Sequence, residues 1–263
     1  MSTLTFSLVQ ADLFWEDKAA NLQQLEAMIN SIKEPTEVVV LPEMFSTGFS
    51  MRPGALAEKM DGPTVSWMKK TSKEKGVVLT GSLIIEEEGN YYNRLIWMLP
   101  NGHYGTYDKR HLFAYGKEHE HFSAGNKRLI ASVKGWKINL FVCYDLRFPV
   151  WARQQINEAP EYDVLVYVAN WPQRRSLAWK TLLQARAIEN QCYTIGVNRV
   201  GMDGKGIEHN GDTTVTGPLG ETVLHAEKTA GVYTVTLEKK TLDETRATFP
   251  FWKDADAFRI GEI

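Results

Sequence analysis

Cysteine is scarce in this chain: Cys143 and Cys192 are the only two among 263 residues. So few thiols exclude a disulfide-built scaffold and suit a reducing compartment. No apolar stretch approaches the ~20 residues of a membrane-spanning helix. The opening residues, Met1 to Val9, show no charged segment leading into an apolar one with a cleavage site. Basic runs are absent too; Lys and Arg are scattered, and the formal net charge is -2. That balance gives no electrostatic case for nucleic acid or an anionic membrane. There is no linker, low-complexity tract, internal repeat or glycine-rich phosphate motif. These absences lead us to expect a cytoplasmic protein with neither nucleic acid nor membrane as partner.

What is present is an ordinary globular composition, 43% hydrophobic and 24% charged. Strand-like and helix-like patterns alternate along the whole chain, which predicts a single α/β domain over 1–263 with parallel and antiparallel strands mixed. Strands are expected at 4–10, 37–42, 77–86, 91–99, 163–169, 193–199, 213–217, 222–226 and 231–237, with 77–86 and 91–99 a hairpin turning at Gly89-Asn90. Helices are expected at 17–32 capped by Asp17, from Pro63 to near Gly76, around 149–157 and over 174–190. The last of these should bury Leu177, Leu182, Leu183, Ala187 and Ile188. Thr241 is expected to cap a short final helix. Residues 114–126 read as an irregular polar loop.

Three apolar runs end on a residue able to do chemistry. Val38-Val39-Val40-Leu41-Pro42 is followed by Glu43. Tyr104 to Asp108 is followed by Lys109. Ile138 to Val142 is followed by Cys143, with Pro149 closing the segment. Strand ends are rigid and the turns after them leave a side chain accessible, so this is where a nucleophile and its partners would be placed. Each also has a plainer reading: an inert buried cysteine, a capping glutamate, a surface lysine beside Arg110.

Leu41-Pro42-Glu43, Tyr107-Asp108-Lys109-Arg110-His111-Leu112-Phe113 and Cys143-Tyr144-Asp145-Leu146-Arg147-Phe148-Pro149, in that order, resemble the motifs of the nitrilase superfamily of carbon–nitrogen hydrolases. Phe45-Ser46-Thr47-Gly48-Phe49-Ser50 and Asn170-Trp171-Pro172 resemble its omega-amidase branch. The resemblance implies a four-layer αββα sandwich of α/β class, with mixed β-sheets inside and helices outside, usually paired as a homodimer. It also implies hydrolysis, without cofactor or metal, of the ω-carboxamide of α-keto acid monoamides such as 2-oxoglutaramate and 2-oxosuccinamate, through a cysteine thioester.

On this resemblance Cys143 is the expected nucleophile and Glu43 the general base. Lys109, aided by the backbone N–H of Tyr144, is the expected oxyanion stabiliser and would favour the Cys143 thiolate. Glu118, seven residues before Gly125, matches a second glutamate that orients the lysine, although a solvated loop carboxylate fits as well. Arg147 is read as structural, holding Glu43 or a loop or closing the helix that follows. For the keto acid end of the substrate the cationic candidates are Arg174, Arg175 and Lys117, and the aromatic ones Phe45, Tyr115 and Trp171. His119, His121 and nearby His111 lack a recognised zinc spacing, and no histidine stands in a Cys–His signature beside Cys143. Cys192 reads as core packing. The same chemistry on an N-carbamoyl amino acid, aliphatic amide or nitrile remains open, as does a catalytically inactive binding or scaffold protein on this fold.

Overall fold

The structure, a computed structural model, describes residues 2–155 and 159–261. In chain order, β1 (Thr3–Gln10) leads into α1 (Lys18–Asn30), then β2 (Val38–Val40), α2 (Pro53–Leu56) and α3 (Pro63–Lys75). Next come β3 (Val78–Glu87), β4 (Asn90–Met98), β5 (Tyr104–Asp108), β6 (Leu129–Val133) and β7 (Trp136–Val142). α4 (Pro149–Ala152), β8 (Val164–Ala169), α5 (Ser176–Asn190), β9 (Tyr193–Asn198) and β10 (Val200–Met202) follow. The chain continues through β11 (Glu208–Thr216), β12 (Thr222–Glu227), β13 (Gly231–Glu238) and α6 (Lys239–Thr248).

One sheet runs β13-β1-β2-β3-β4-β5; the other runs β10-β11-β9-β8-β7-β6, with β12 on β11. In each the central strands are parallel, β1-β2-β3 and β7-β8-β9, and the flanking ones antiparallel. Alternate residues of a strand face opposite sides. Val38 and Val40 join the cluster shared with Ile138, Leu140 and Val142 of the second sheet, while Val39 and Leu41 join Leu25 and Ile29 of α1 and Val65 and Met68 of α3. Both faces of these strands are therefore covered, which is why they read as unbroken apolar runs. On the second sheet, Trp179 and Leu183 of α5 press so closely on Gly196 of β9 that a Cβ there would lie 2.4 Å from Leu183. The layers are helix, sheet, sheet, helix, the expected sandwich.

Local chemistry accounts for the boundaries. Asp17 caps α1 by accepting from the Ala20 N–H at 3.0 Å, and Gly76 ends α3 in a left-handed conformation. Several expectations need correction. The β3–β4 turn is Glu88-Gly89, both at positive φ as a two-residue hairpin requires. α6 starts after Glu238 without a side-chain cap, so Thr241 is inside it. The helix expected around 149–157 ends at Ala152 with Arg153 extended, and 156–158 lie outside the described residues. β6 and β10 were not expected, and β11 starts earlier than expected, at Glu208. In α5, Leu177 and Ile188 are exposed; Trp179, Leu183, Arg186, Ala187 and Asn190 are buried.

Candidate active site

The three apolar runs end at the same place. Glu43, Lys109 and Cys143 line one cavity of about 210 Å³, together with Asn170 and Trp171 from the end of β8. That is less than the ~300–1,000 Å³ of pockets for drug-sized ligands and suits a small molecule.

Two of the exits bend sharply. Met44 and Cys143 both have φ of 43°, a left-handed conformation that costs a side-chain-bearing residue about 1–3 kcal/mol. Buried hydrogen bonds hold each bend. Met44 N–H donates to Ser82 Oγ at 2.9 Å. After Cys143, the Asp145 carboxylate accepts from Val142 N at 3.0 Å, Tyr107 Oη at 2.8 Å and His111 N at 3.0 Å, with His111 Nδ1 at 2.8 Å. Asp145 thus ties the cysteine turn to the segment just after Lys109. Asp145→Ala would leave these donors buried without a partner and should destabilise the fold by at least about 3 kcal/mol. A urea titration checks this, and a loss below about 0.5 kcal/mol would refute it.

Lys109 follows β5, its N–H bonded to Asn93 O at 3.0 Å and its carbonyl accepting from Gly125 at 3.0 Å. Only glycine fits at 125, because a Cβ would lie 2.1 Å from the Asp108 carbonyl oxygen. The Lys109 ammonium is buried and lies 2.9 Å from Glu43 Oε1 and 2.9 Å from Glu118 Oε2. Asn93 Nδ2 donates to both carboxyl groups, at 2.9 and 3.1 Å. Phe113 N–H donates to Glu118 at 2.6 Å, and Asn170 N–H donates to Glu43 Oε2 at 2.8 Å. The reading of Glu118 as a solvated loop carboxylate is therefore wrong: it is fully buried.

Burial by itself would lower the Lys109 pKa, but Glu118 and Glu43 outweigh it and keep the ammonium charged. Burial raises the Glu118 pKa; Lys109 opposes this and Glu43 adds to it. The Cys143 thiol is pushed well above its ordinary value by burial first and by Glu43 second, against Lys109. The expectation that Lys109 favours a resting thiolate is thus reversed, because burial first, and then Glu43 and Glu118, outweigh the one ammonium. The proton stays on sulfur until something removes it.

The other candidates divide. Tyr144, Tyr115, Trp171, Arg174 and Arg175 line the cavity. Phe45 does not; it is buried under β3, its ring centroid 6.0 Å from that of Trp67. Lys117 does not either; its side chain is 71% exposed and pairs with Glu120 at 3.9 Å. Among the described residues Arg147 makes no side-chain hydrogen bond to Glu43 or to a loop; it lines the cavity over Trp171. Sequence reasoning missed Asn93, Phe49, Phe113 and the β10–β11 segment with Asp203, Lys205, Ile207 and His209. An asparagine inside the strand Asn90–Met98 was the available signal for Asn93. The others come from distant turns and left none.

His119 and His121 are exposed and His111 is turned to Asp145. Among the described residues, the group near enough to share an ion is Asp212, His225 and Glu227, outside this cavity and with Lys180 Nζ 3.6 Å from Asp212. No histidine among the described residues hydrogen-bonds Cys143. His209 is in the cavity wall, and burial first, then Arg199, lowers its pKa to about 4. The folded state therefore binds fewer protons than the unfolded chain between about pH 4 and 6.5, and stability falls with acidification through that window by up to about 3 kcal/mol. His209→Gln should flatten that part of the stability profile; an unchanged slope would exclude the assignment. Cys192 is a free, fully buried core cysteine, as expected.

Known proteins resemble this chain over nearly its whole length. Residues 5–247 match the family model described as carbon-nitrogen hydrolase. The chain is 43% identical to the protein named omega-amidase YafV of Escherichia coli K12, over 99% of this chain and 100% of that one. It is 31% identical to 2-oxoglutaramate amidase of Bacillus subtilis, over 95% and 96%. The crystal structure of XC1258 from Xanthomonas campestris, a CN-hydrolase superfamily protein with an arsenic adduct in its active site, superposes with a TM-score of 0.97. Its identity is 42%, covering 99% of this chain and 100% of that one.

Proposed function

The chain belongs to the carbon–nitrogen hydrolase family, and from that premise we propose that Cys143, Glu43, Lys109 and Glu118 hydrolyse the ω-carboxamide of an α-keto acid monoamide. The protein is an amidohydrolase of the omega-amidase branch and acts on a small amide, releasing ammonia. The observation that carries the residue assignment is the buried Glu43–Lys109–Glu118 cluster, whose Glu43 and Lys109 line the same cavity as Cys143.

In this mechanism Glu43 takes the Cys143 proton as sulfur attacks the amide carbon. A concerted transfer suits a thiol whose pKa is pushed up by burial and by Glu43. The developing oxyanion is met by the Lys109 ammonium and the Tyr144 N–H. Lys109 has three N–H groups; one faces Glu43 and one can serve both Glu118 oxygens, which frees the third for the oxyanion. Glu43 then returns the proton to the amide nitrogen, the C–N bond breaks, ammonia leaves and a thioester remains. Water, deprotonated by Glu43, attacks the thioester; the C–S bond breaks, the acid departs and sulfur regains a proton. Glu118 keeps Lys109 charged and aimed.

Ammonia release from 2-oxoglutaramate tests this, with glutamine, an aliphatic amide, an N-carbamoyl amino acid and a nitrile alongside. Turnover fastest on the keto acid amide is expected. Preference for another member of the panel would overturn the substrate class and keep the family.

The family match over 5–247 supports reading 1–263 as one domain. Two unpaired thiols, one needed in reduced form, support a cytoplasmic location. Among the described residues no helix is long and apolar enough to cross a membrane. Leu177 and Ile188 are exposed on the same outer side of α5, and these two side chains support a homodimer closed through this helix. Leu177→Glu should shift the sedimenting mass to that of a monomer; an unchanged mass would place any interface elsewhere.

A further inference from the structure

We propose that Asn93 is a positioning residue for the hydrolysis: its side-chain amide keeps Glu43 and Glu118 ionised and in place, so that Glu43 can act as the base. This deepens the functional reading above and rests on Glu43 being the base in it.

Glu43 and Glu118 are both fully buried, and a single ammonium, that of Lys109, faces the two. Carboxylates this close disfavour each other's ionisation, and burial adds to the effect. A further donor is needed if neither is to take up a proton, and Asn93 supplies it without adding charge. Its Nδ2 donates to Glu43 Oε1 at 2.9 Å and to Glu118 Oε1 at 3.1 Å. Lys109 Nζ donates to the same two oxygens, at 2.9 and 3.1 Å. The four atoms close a ring in which donors and acceptors alternate. The ring occupies Glu43 Oε1. Glu43 Oε2 accepts from the Asn170 N–H at 2.8 Å and keeps a lone pair for the Cys143 proton.

For folding alone, asparagine is a poor choice here. Asn93 lies within β4 and is fully buried. Leu95 and Trp97, on the same face of the strand, belong to the core shared by the two sheets. A leucine at 93 would extend that core. Among the described residues the buried Asn93 Oδ1 meets no donor, and a buried polar atom left unpaired weakens a fold. Turning the amide over would not relieve it, because Oδ1 would then face two carboxylate oxygens. What the amide provides is one nitrogen that reaches both carboxyl groups. Asn93 is not among the residues that line the cavity, so it acts through Glu43 rather than on the substrate.

Charge around the pair is otherwise constant. Lys109 follows β5 and Cys143 follows β7; these are the titratable groups that face the two carboxyls. The N–H groups of Phe113 and Asn170 add neutral donors. Arg147, Arg174, Arg175, Lys205, Asp203 and His209 stand farther out in the cavity wall. Replacing Asn93 leaves all of them in place and removes only the two bonds from Nδ2. A carboxylate that loses such a donor protonates more readily.

Profiles of kcat and KM against pH test this. The substrate is whichever compound of the panel above wild type turns over fastest, so the substrate class does not enter. The proteins are wild type, Asn93→Leu, Asn93→Ser, Ile96→Val and Glu43→Gln, each checked for folding by circular dichroism. Leucine donates to neither carboxyl, and the one hydroxyl of serine can serve only one of them. In Asn93→Leu the acid limb of kcat/KM should move up by about one pH unit or more, a roughly 10-fold loss below the limb that is recovered well above it. Asn93→Ser should move it less, and KM should change little in either. Ile96→Val thins the core under the same strand and should leave the limb where it is. If Asn93→Leu does not fold, the serine variant decides. An unmoved limb in the folded variants, or a fall that is equal at every pH, would overturn the role of Asn93 and leave Glu43 as the base. Full activity in Glu43→Gln would overturn both.

Discussion

Cys143→Ala is expected to lower kcat/KM for ammonia release by on the order of 10⁴–10⁶, the scale seen when a nucleophile that works as a unit with its base is removed. The rest of the cavity wall offers no comparable acceptor for the acyl group: Lys109 is held charged by two carboxyl groups, Tyr115 is largely exposed, and the Tyr144 ring is packed edge-on against Phe113 and Phe148. The loss should appear without loss of fold, because alanine at 143 removes one sulfur and keeps the Cβ, and the turn is held by Asp145 rather than by the thiol. Hydroxylamine added during turnover should trap the acyl group as a hydroxamate in wild type and not in the variant. A variant that retains more than about a hundredth of wild-type activity would exclude the thioester route.

Lys109→Met should damage both activity and stability. Removing the ammonium leaves Glu43 and Glu118 buried and facing each other with no cation between them. Breaking a buried pair by deleting one partner costs about 3–5 kcal/mol, and losing the positive charge at the oxyanion should cost on the order of 10²–10³ in kcat. The sign of the pH dependence separates this from a simple packing defect. Without Lys109 the largest factor opposing the rise in the Glu118 pKa is gone, leaving the neutral donors Phe113 N–H and Asn93 Nδ2 against burial and Glu43. A carboxyl whose folded pKa exceeds its unfolded value binds more protons when folded, so the variant should become less stable as pH rises from its unfolded pKa, about 4.3, toward its raised folded value. Urea midpoints at pH 5 and pH 7.5 measure this. A variant as stable as wild type at both would mean that the pair is not coupled as described.

Much of this site was legible because its residues sit at the ends of central strands. Runs such as Val38–Leu41 and Ile138–Val142 are apolar at every position since both faces are covered, and the first polar residue after each stands out. The helix α5 was located correctly and buries Leu183 and Ala187 as expected, but Leu177 and Ile188 face outward. At about 100° per residue, Leu177 and Ile188 share one side of the helix roughly 160° from Trp179, so they could not all face inward together. The outward pair reads as core in a pattern that counts apolar residues without fixing the axis. β6, half-buried at an edge of its sheet, carries too weak an alternation to be read as a strand.

Phe45 shows where the limit lies. It stands two residues from Glu43 in sequence and was a reasonable wall for the cavity. The left-handed turn at Met44 sends it under β3 and brings Phe49 to the cavity instead. Local composition cannot predict that choice, because it depends on Gly81 leaving room for the Phe45 ring.

The sequence by itself determined the central strands, the three exits and the kinds of group at them, because burial of both faces writes those strands and the first polar residue after each follows from chain order. The tertiary structure alone decided which charges meet. Burial pushes the Cys143 thiol up, Glu118 is buried, and Arg147 and Arg175 line the cavity while Lys117 faces solvent beside Glu120. Protonation and pairing depend on desolvation and on distances of a few ångströms between residues up to about a hundred positions apart, and no local pattern encodes either.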